Sequence, residues 1–97
     1  MRKYIQKLLP AFINGKKTRK SKSAFVCNGG FWSYETLISV CCEFVGGKRI
    51  YLNVAKFSRT TSSQQNAIRI FAAENNIPLI ECNQSDFNEV VDKYFLP

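Results

Sequence analysis

A chain of 97 residues, 45% hydrophobic and 13% aromatic, is enough for one domain with a modest core and too apolar for disorder throughout. No apolar run reaches the roughly 20 residues of a membrane span, and the N-terminus lacks the apolar core and cleavage site of a secretory signal. The expectation is a single soluble domain with no membrane partner. Its formal charge of +7 is unevenly placed: residues 1–22 carry eight bases and no acid, whereas the rest carries six bases and seven acids. Charge this asymmetric suits a polyanion partner, and equally a solubilising tail.

In chain order, Tyr4, Ile5, Leu8, Leu9 and Phe12 recur at helical spacing, predicting a short helix that ends or kinks near Pro10 and stops at Asn14-Gly15. Its apolar stripe suits packing on a sheet; an amphipathic basic helix on an anionic membrane surface is the alternative. Lys16 to Lys22 reads as an exposed linker. Its cations Lys16, Lys17, Arg19, Lys20 and Lys22 are the candidate nucleic-acid-binding residues, because phosphate contact needs cations and no base readout. The same run would also serve as a nuclear-import signal, and the acid-free start also has features of a transit peptide. The domain division expected is a basic helix and arm over 1–22 and a single α+β domain over 23–97.

Phe25-Val26-Cys27 predicts a short strand turned by Asn28-Gly29-Gly30. From Trp32 to Phe44 the alternation predicts one long strand with Trp32, Tyr34, Thr36, Ile38, Val40, Cys42 and Phe44 on the core face. A strand over Lys48 to Phe57 follows a Gly46-Gly47 turn. A two-residue turn would place Tyr51, Asn53 and Ala55 on the core side; a register shifted by one would place Ile50, Leu52 and Val54 there, the cleaner pattern and the one preferred.

Ser58-Arg59-Thr60-Thr61-Ser62-Ser63 opens a helix running from about Ser62 to Glu74. Thr61 and Gln64 fit a capping box there. With Lys56 beside it, the start of this helix is a candidate anion site built from Lys56, Ser58, Arg59, Thr60 and Thr61; capping alone also explains the hydroxyls. Pro78 to Cys82 predicts a fourth strand, parallel to its partner through the helix. Ser85 is placed to cap a last helix whose apolar face is Phe87, Val90, Val91, Tyr94 and Phe95. The fold class expected is α+β, with three antiparallel strands plus a fourth after a crossover helix, and helices mainly on one face.

Cys27, Cys41, Cys42 and Cys82 lack the paired spacing of a zinc site, and histidine is absent. They read as buried thiols in a reducing compartment. General acid–base or nucleophilic chemistry needs placed groups beside one another. The seven carboxylates are scattered, and Glu35 and Glu43 would lie about 26 Å apart on one strand. No glycine loop cradles a phosphate. The expectation is a non-enzymatic binding protein with no cofactor and no metal.

The pattern Ser33-Tyr34-x-Thr36-x-Ile38, Asn53, Phe57-Ser58-x-Thr60-Thr61-Ser62-x-Gln64, with Phe12-x-Asn14 and a Lys-rich run before it, resembles an uncharacterised family of small phage and mobile-element proteins. The likeness covers residues 12–72 and departs at Gly29-Gly30, where an Asp-Gly type of turn belongs. It implies a viral origin and a location in the host-cell cytoplasm, and it brings no activity. Two functions then follow as expectations. One is nucleic-acid binding through the basic arm, with Trp32 or Tyr34 adding stacking if either is exposed. The alternative is a viral effector that docks on a host nucleic-acid-handling protein complex, of the anti-CRISPR or anti-restriction type.

Overall fold

The structure, a computed structural model, describes residues 3–95, and of Lys20 the backbone alone. The class is α+β, as expected, but the sheet is larger. Its six strands are β1 (Thr18–Ser21), β2 (Ala24–Cys27), β3 (Gly30–Ser33), β4 (Thr36–Phe44), β5 (Gly47–Asn53) and β6 (Leu79–Cys82), lying in sequence order. β1 to β5 form an antiparallel meander. α2 (Arg59–Glu74) then carries the chain to β6, which pairs parallel to β5 as expected for a strand–helix–strand unit.

Residues 3–21, read from sequence as a helix and arm apart from the domain, belong to the same fold. α1 (Lys3–Ile13) buries Ile5, Leu8, Leu9 and Phe12 in the main core. Pro10 lies exposed inside this helix, which continues past it to Ile13 rather than ending there. Its end is a glycine motif: Gly15 has φ +68, and Lys16 N–H donates to Ala11 O at 3.0 Å, closing carbonyls the helix leaves free. The supposed linker then becomes the edge strand β1, paired with β2 around the Lys22-Ser23 turn.

The long strand expected from Trp32 to Phe44 is a hairpin. β3 ends at Ser33, and the chain reverses at Tyr34-Glu35. Tyr34 takes φ +55, which costs an L-residue with a Cβ roughly 1–2 kcal/mol, and its N–H is held by Ser23 O at 2.8 Å. No glycine or asparagine marked this turn. A second irregularity follows at once. Phe31 faces Ser39 while Trp32 faces Leu37, so Ile38 is an extra residue in β4, a bulge. The bulge sends Ile38 to the α1–α2 side and Val40 and Cys42 to the other, where alternation had put all three together.

The β4–β5 turn is Val45-Gly46, with Phe44 opposite Gly47 and Val40 opposite Tyr51. The preferred one-residue shift is therefore corrected: Tyr51, not Ile50, shares the face of Val40 and Cys42. Ile50 and Leu52 are nonetheless fully buried, because both faces of the sheet are covered. α1 and α2 cover one face. On the other, α3 (Gln84–Val90) and a π-helical turn (Val91–Phe95) close a smaller core of Val40, Cys42, Tyr51, Cys82 and Phe87. Helices mainly on one face is thus also corrected. Asn83, not Ser85, caps α3, its side chain accepting from Asp86 N–H.

The Tyr34 turn and the packing around Gly30 make checkable claims. Asparagine adopts positive φ more readily than tyrosine, so Tyr34→Asn should raise stability by up to about 1 kcal/mol in a denaturant titration. At Gly30 an added Cβ would meet the Trp32 ring at 2.6 Å and Phe95 at 2.8 Å. Gly30→Ala should destabilise by about 1–3 kcal/mol and move the Trp32 emission maximum.

Candidate functional site

The site begins with strand order. Because the strands lie in sequence order, the charge asymmetry of the sequence becomes an asymmetry of shape. The base-rich N-terminal stretch leads into the β1 edge, while Glu81 lies on β6 at the opposite edge; Asp86 and Glu89 lie on α3, and Asp92 on the π turn that reaches back to Trp32 of β3. Five strand spacings separate the two edges, about 24 Å. That is some three Debye lengths at physiological salt, so Glu81 on β6 does not neutralise the β1 cations.

Along the β1 edge, Lys16 and Lys17 are exposed just before the strand, Arg19 is exposed on it, and Lys22 is exposed in the following turn. Lys20 lies on the strand, with its side chain outside the described residues. Arg19 faces Phe25 across the β1–β2 pair and lays its guanidinium over that ring, 4.5 Å from the centroid. Phe25 in turn stacks on Trp32, ring planes 2° apart and centroids 4.9 Å apart. Trp32 ends against Phe95 at 5.9 Å. Phe25 and Trp32 are half-buried on the face opposite α1 and α2, at the edge that α3 leaves open.

The second candidate site, at the start of α2, comes to the same end of the sheet. Thr61 and Ser33 share a hydroxyl–hydroxyl bond of 2.7 Å, and Gln64 Nε2 donates to Ser23 O at 3.1 Å and to the Tyr4 hydroxyl at 3.2 Å. α2 is thereby tied to the turn that carries Lys22. Ser58 is the N-cap: its Oγ accepts from Thr61 N–H and donates to Thr61 Oγ1. The capping box expected at Thr61 and Gln64 does not form: the cap lies three residues earlier, at Ser58, the helix starts at Arg59 and not near Ser62, and both of those side chains are buried. Thr61 is committed to the cap and to Ser33. Lys56, Ser58 and Arg59 line an open cleft of about 420 Å³ with Phe57, Ser62 and Ser63, while Thr60 is half-buried beside it.

The thiols are free, and three are poor nucleophiles. Burial pushes Cys41 up to about 11, with Lys48 only partly offsetting it, and burial likewise raises Cys42 and Cys82. Among the described residues, no three His, Cys, Asp or Glu side chains group as a metal would require. Again among the described residues, no helix is long and apolar enough to cross a membrane.

Sequence reasoning found the cations but missed the ring beneath Arg19. Its signal was the polar Ser21-Lys22-Ser23 turn, which sets Arg19 opposite Phe25 once Thr18–Ser21 is read as a strand. No family model matches the chain, and neither a curated protein nor a solved structure matches it.

The thiolate is the reacting form, so the raised Cys41 makes a kinetic claim. At pH 8 its alkylation in the native protein should run on the order of 100-fold slower than that of an ordinary thiol, accelerating as pH rises toward its pKa. Mass-spectrometric labelling by site, native against denatured, measures this.

Proposed function

We propose that this protein is a non-enzymatic nucleic-acid-binding protein whose contact surface is the β1 edge of the sheet. The observation that carries the reading is the ordered placement of Lys16, Lys17, Arg19 and Lys22 along one exposed edge, about 24 Å from the opposite, β6 edge. Cations held on and beside an edge strand can follow a phosphate backbone, and they lose less freedom on binding than a loose tail would. Glu35, in the neighbouring turn, is the only carboxylate in the first 42 residues. Lys56 and Arg59 extend the cationic surface toward the start of α2, which the Thr61–Ser33 bond anchors to the same end.

This surface acts by position and charge. It neutralises phosphates and releases their counterions, so affinity falls steeply with salt and depends weakly on sequence. The chemistry also differs from that of a protein-docking effector, whose packed interface would tolerate salt.

The test is binding of the full chain to labelled oligonucleotides from about 50 to about 200 mM salt. Five contacted phosphates give a log–log slope of about −3.5 to −4.5. Lys16→Ala, Lys17→Ala and Lys22→Ala combined should flatten the slope by roughly 2 to 3 and weaken binding at every sequence tested. Affinity indifferent to salt, or to the triple substitution, would overturn the reading and favour a host protein as the target.

A further inference from the structure

Charge along β1 accounts for phosphate contact and leaves the rings beside it unexplained. Arg19, Phe25, Trp32 and Phe95 form a continuous column, each member stacked or tilted on the next. The two ends differ. Phe95, from the π turn, closes the inner end against the smaller core. Arg19 forms the outer end, and because β1 is the sheet edge, no further strand lies beyond it. The column therefore stops at a planar guanidinium facing solvent, among exposed Lys16, Lys17 and Lys22.

Gly30 adds that the column is built. Trp32 and Phe95 sit where a Cβ on Gly30 would be, 2.6 to 2.8 Å from it, so this glycine leaves the room the indole occupies. The rings are held in place before any ligand arrives. Burying apolar area alone would not need Arg19 on Phe25, since Arg19 is exposed and makes no ion pair among the described residues.

Building on the nucleic-acid reading, we infer that the ligand is single-stranded nucleic acid, with an unpaired base stacking at the Arg19–Phe25 end of the column. Guanidinium planes and aromatic rings both stack on bases, and every base has the π-face required. The unpaired base takes the outer face of Arg19 or replaces the guanidinium on Phe25, while the lysines hold the flanking phosphates. A duplex offers phosphates and no free base face, so it gains from the lysines alone. The column thus makes the site selective for unpaired strands and tolerant of their sequence.

Trp32 is the only tryptophan of the chain, so its emission reports on the column directly. The experiment titrates the full chain with a single-stranded oligonucleotide, a duplex of the same length, and inorganic polyphosphate, reading both Trp32 fluorescence and label anisotropy. The single strand should bind at least about 10-fold tighter than the duplex at equal salt and should change Trp32 emission; polyphosphate should leave emission unchanged. Phe25→Leu keeps apolar bulk and removes the ring. It should cost about 5- to 150-fold for the single strand and little for the duplex. Arg19→Lys keeps the charge without the plane and should show the same selectivity loss with less risk to the fold. Circular dichroism confirms folding of both. Equal binding of single strand and duplex, with Trp32 emission unmoved, would overturn this inference and leave the basic edge standing. Absence of binding to all three polyanions would overturn both.

Discussion

The fold depends on one extra residue. Ile38 is the bulge in β4, and it divides the strand's apolar side chains between two faces: Ile38 toward α1 and α2, Val40 and Cys42 toward α3. With unbroken alternation all three would crowd the face of Tyr51, Cys82 and Phe87, and the core under α1 and α2 would lose Ile38. β4 and β5 are buried on both sides because of this shift, and the central sheet is a wall between two cores. The polar groups that sit in it are tied off. Ser39 Oγ donates to Tyr51 O at 2.7 Å, and Asn53 bonds Ala55 N–H and the Gln84 side chain, joining the sheet to α3.

Much of this was legible, and what was not has identifiable causes. α1, α2 and the parallel β6 announced themselves through helical spacing, Pro78 and the strand–helix–strand order. The hairpin at Tyr34-Glu35 did not, since an aromatic at φ +55 is a tertiary effect held by Ser23 O. Without that turn, the alternation from Trp32 onward was assigned to one strand and one core. Thr18–Ser21 was hidden for a different reason: an edge strand needs no buried side chains, so its lysines looked like a linker. The site was legible as a set of cations. Its form was not, because the pairing of Arg19 with Phe25 exists only once the linker is a strand.

Electrostatics and topology reinforce each other here. A meander preserves chain order in space, so a sequence that is basic at its start and acidic toward its end becomes a sheet with two differently charged edges. A basic edge strand also resists pairing with another copy, since like-charged lysines would face one another. The opposite edge is moderated locally, where Arg69 pairs with Glu81 on β6 at 3.0 Å.

The sequential strand order carries a kinetic consequence. Four of the five strand pairings join neighbours through short turns, so each closes a small loop at small entropic cost. The fifth, β5 with β6, spans all of α2. Contact order is therefore low across the N-terminal meander and rises only at its last strand. The sheet can zip from hairpin to hairpin, and the α2–β6–α3 segment then docks as the late step.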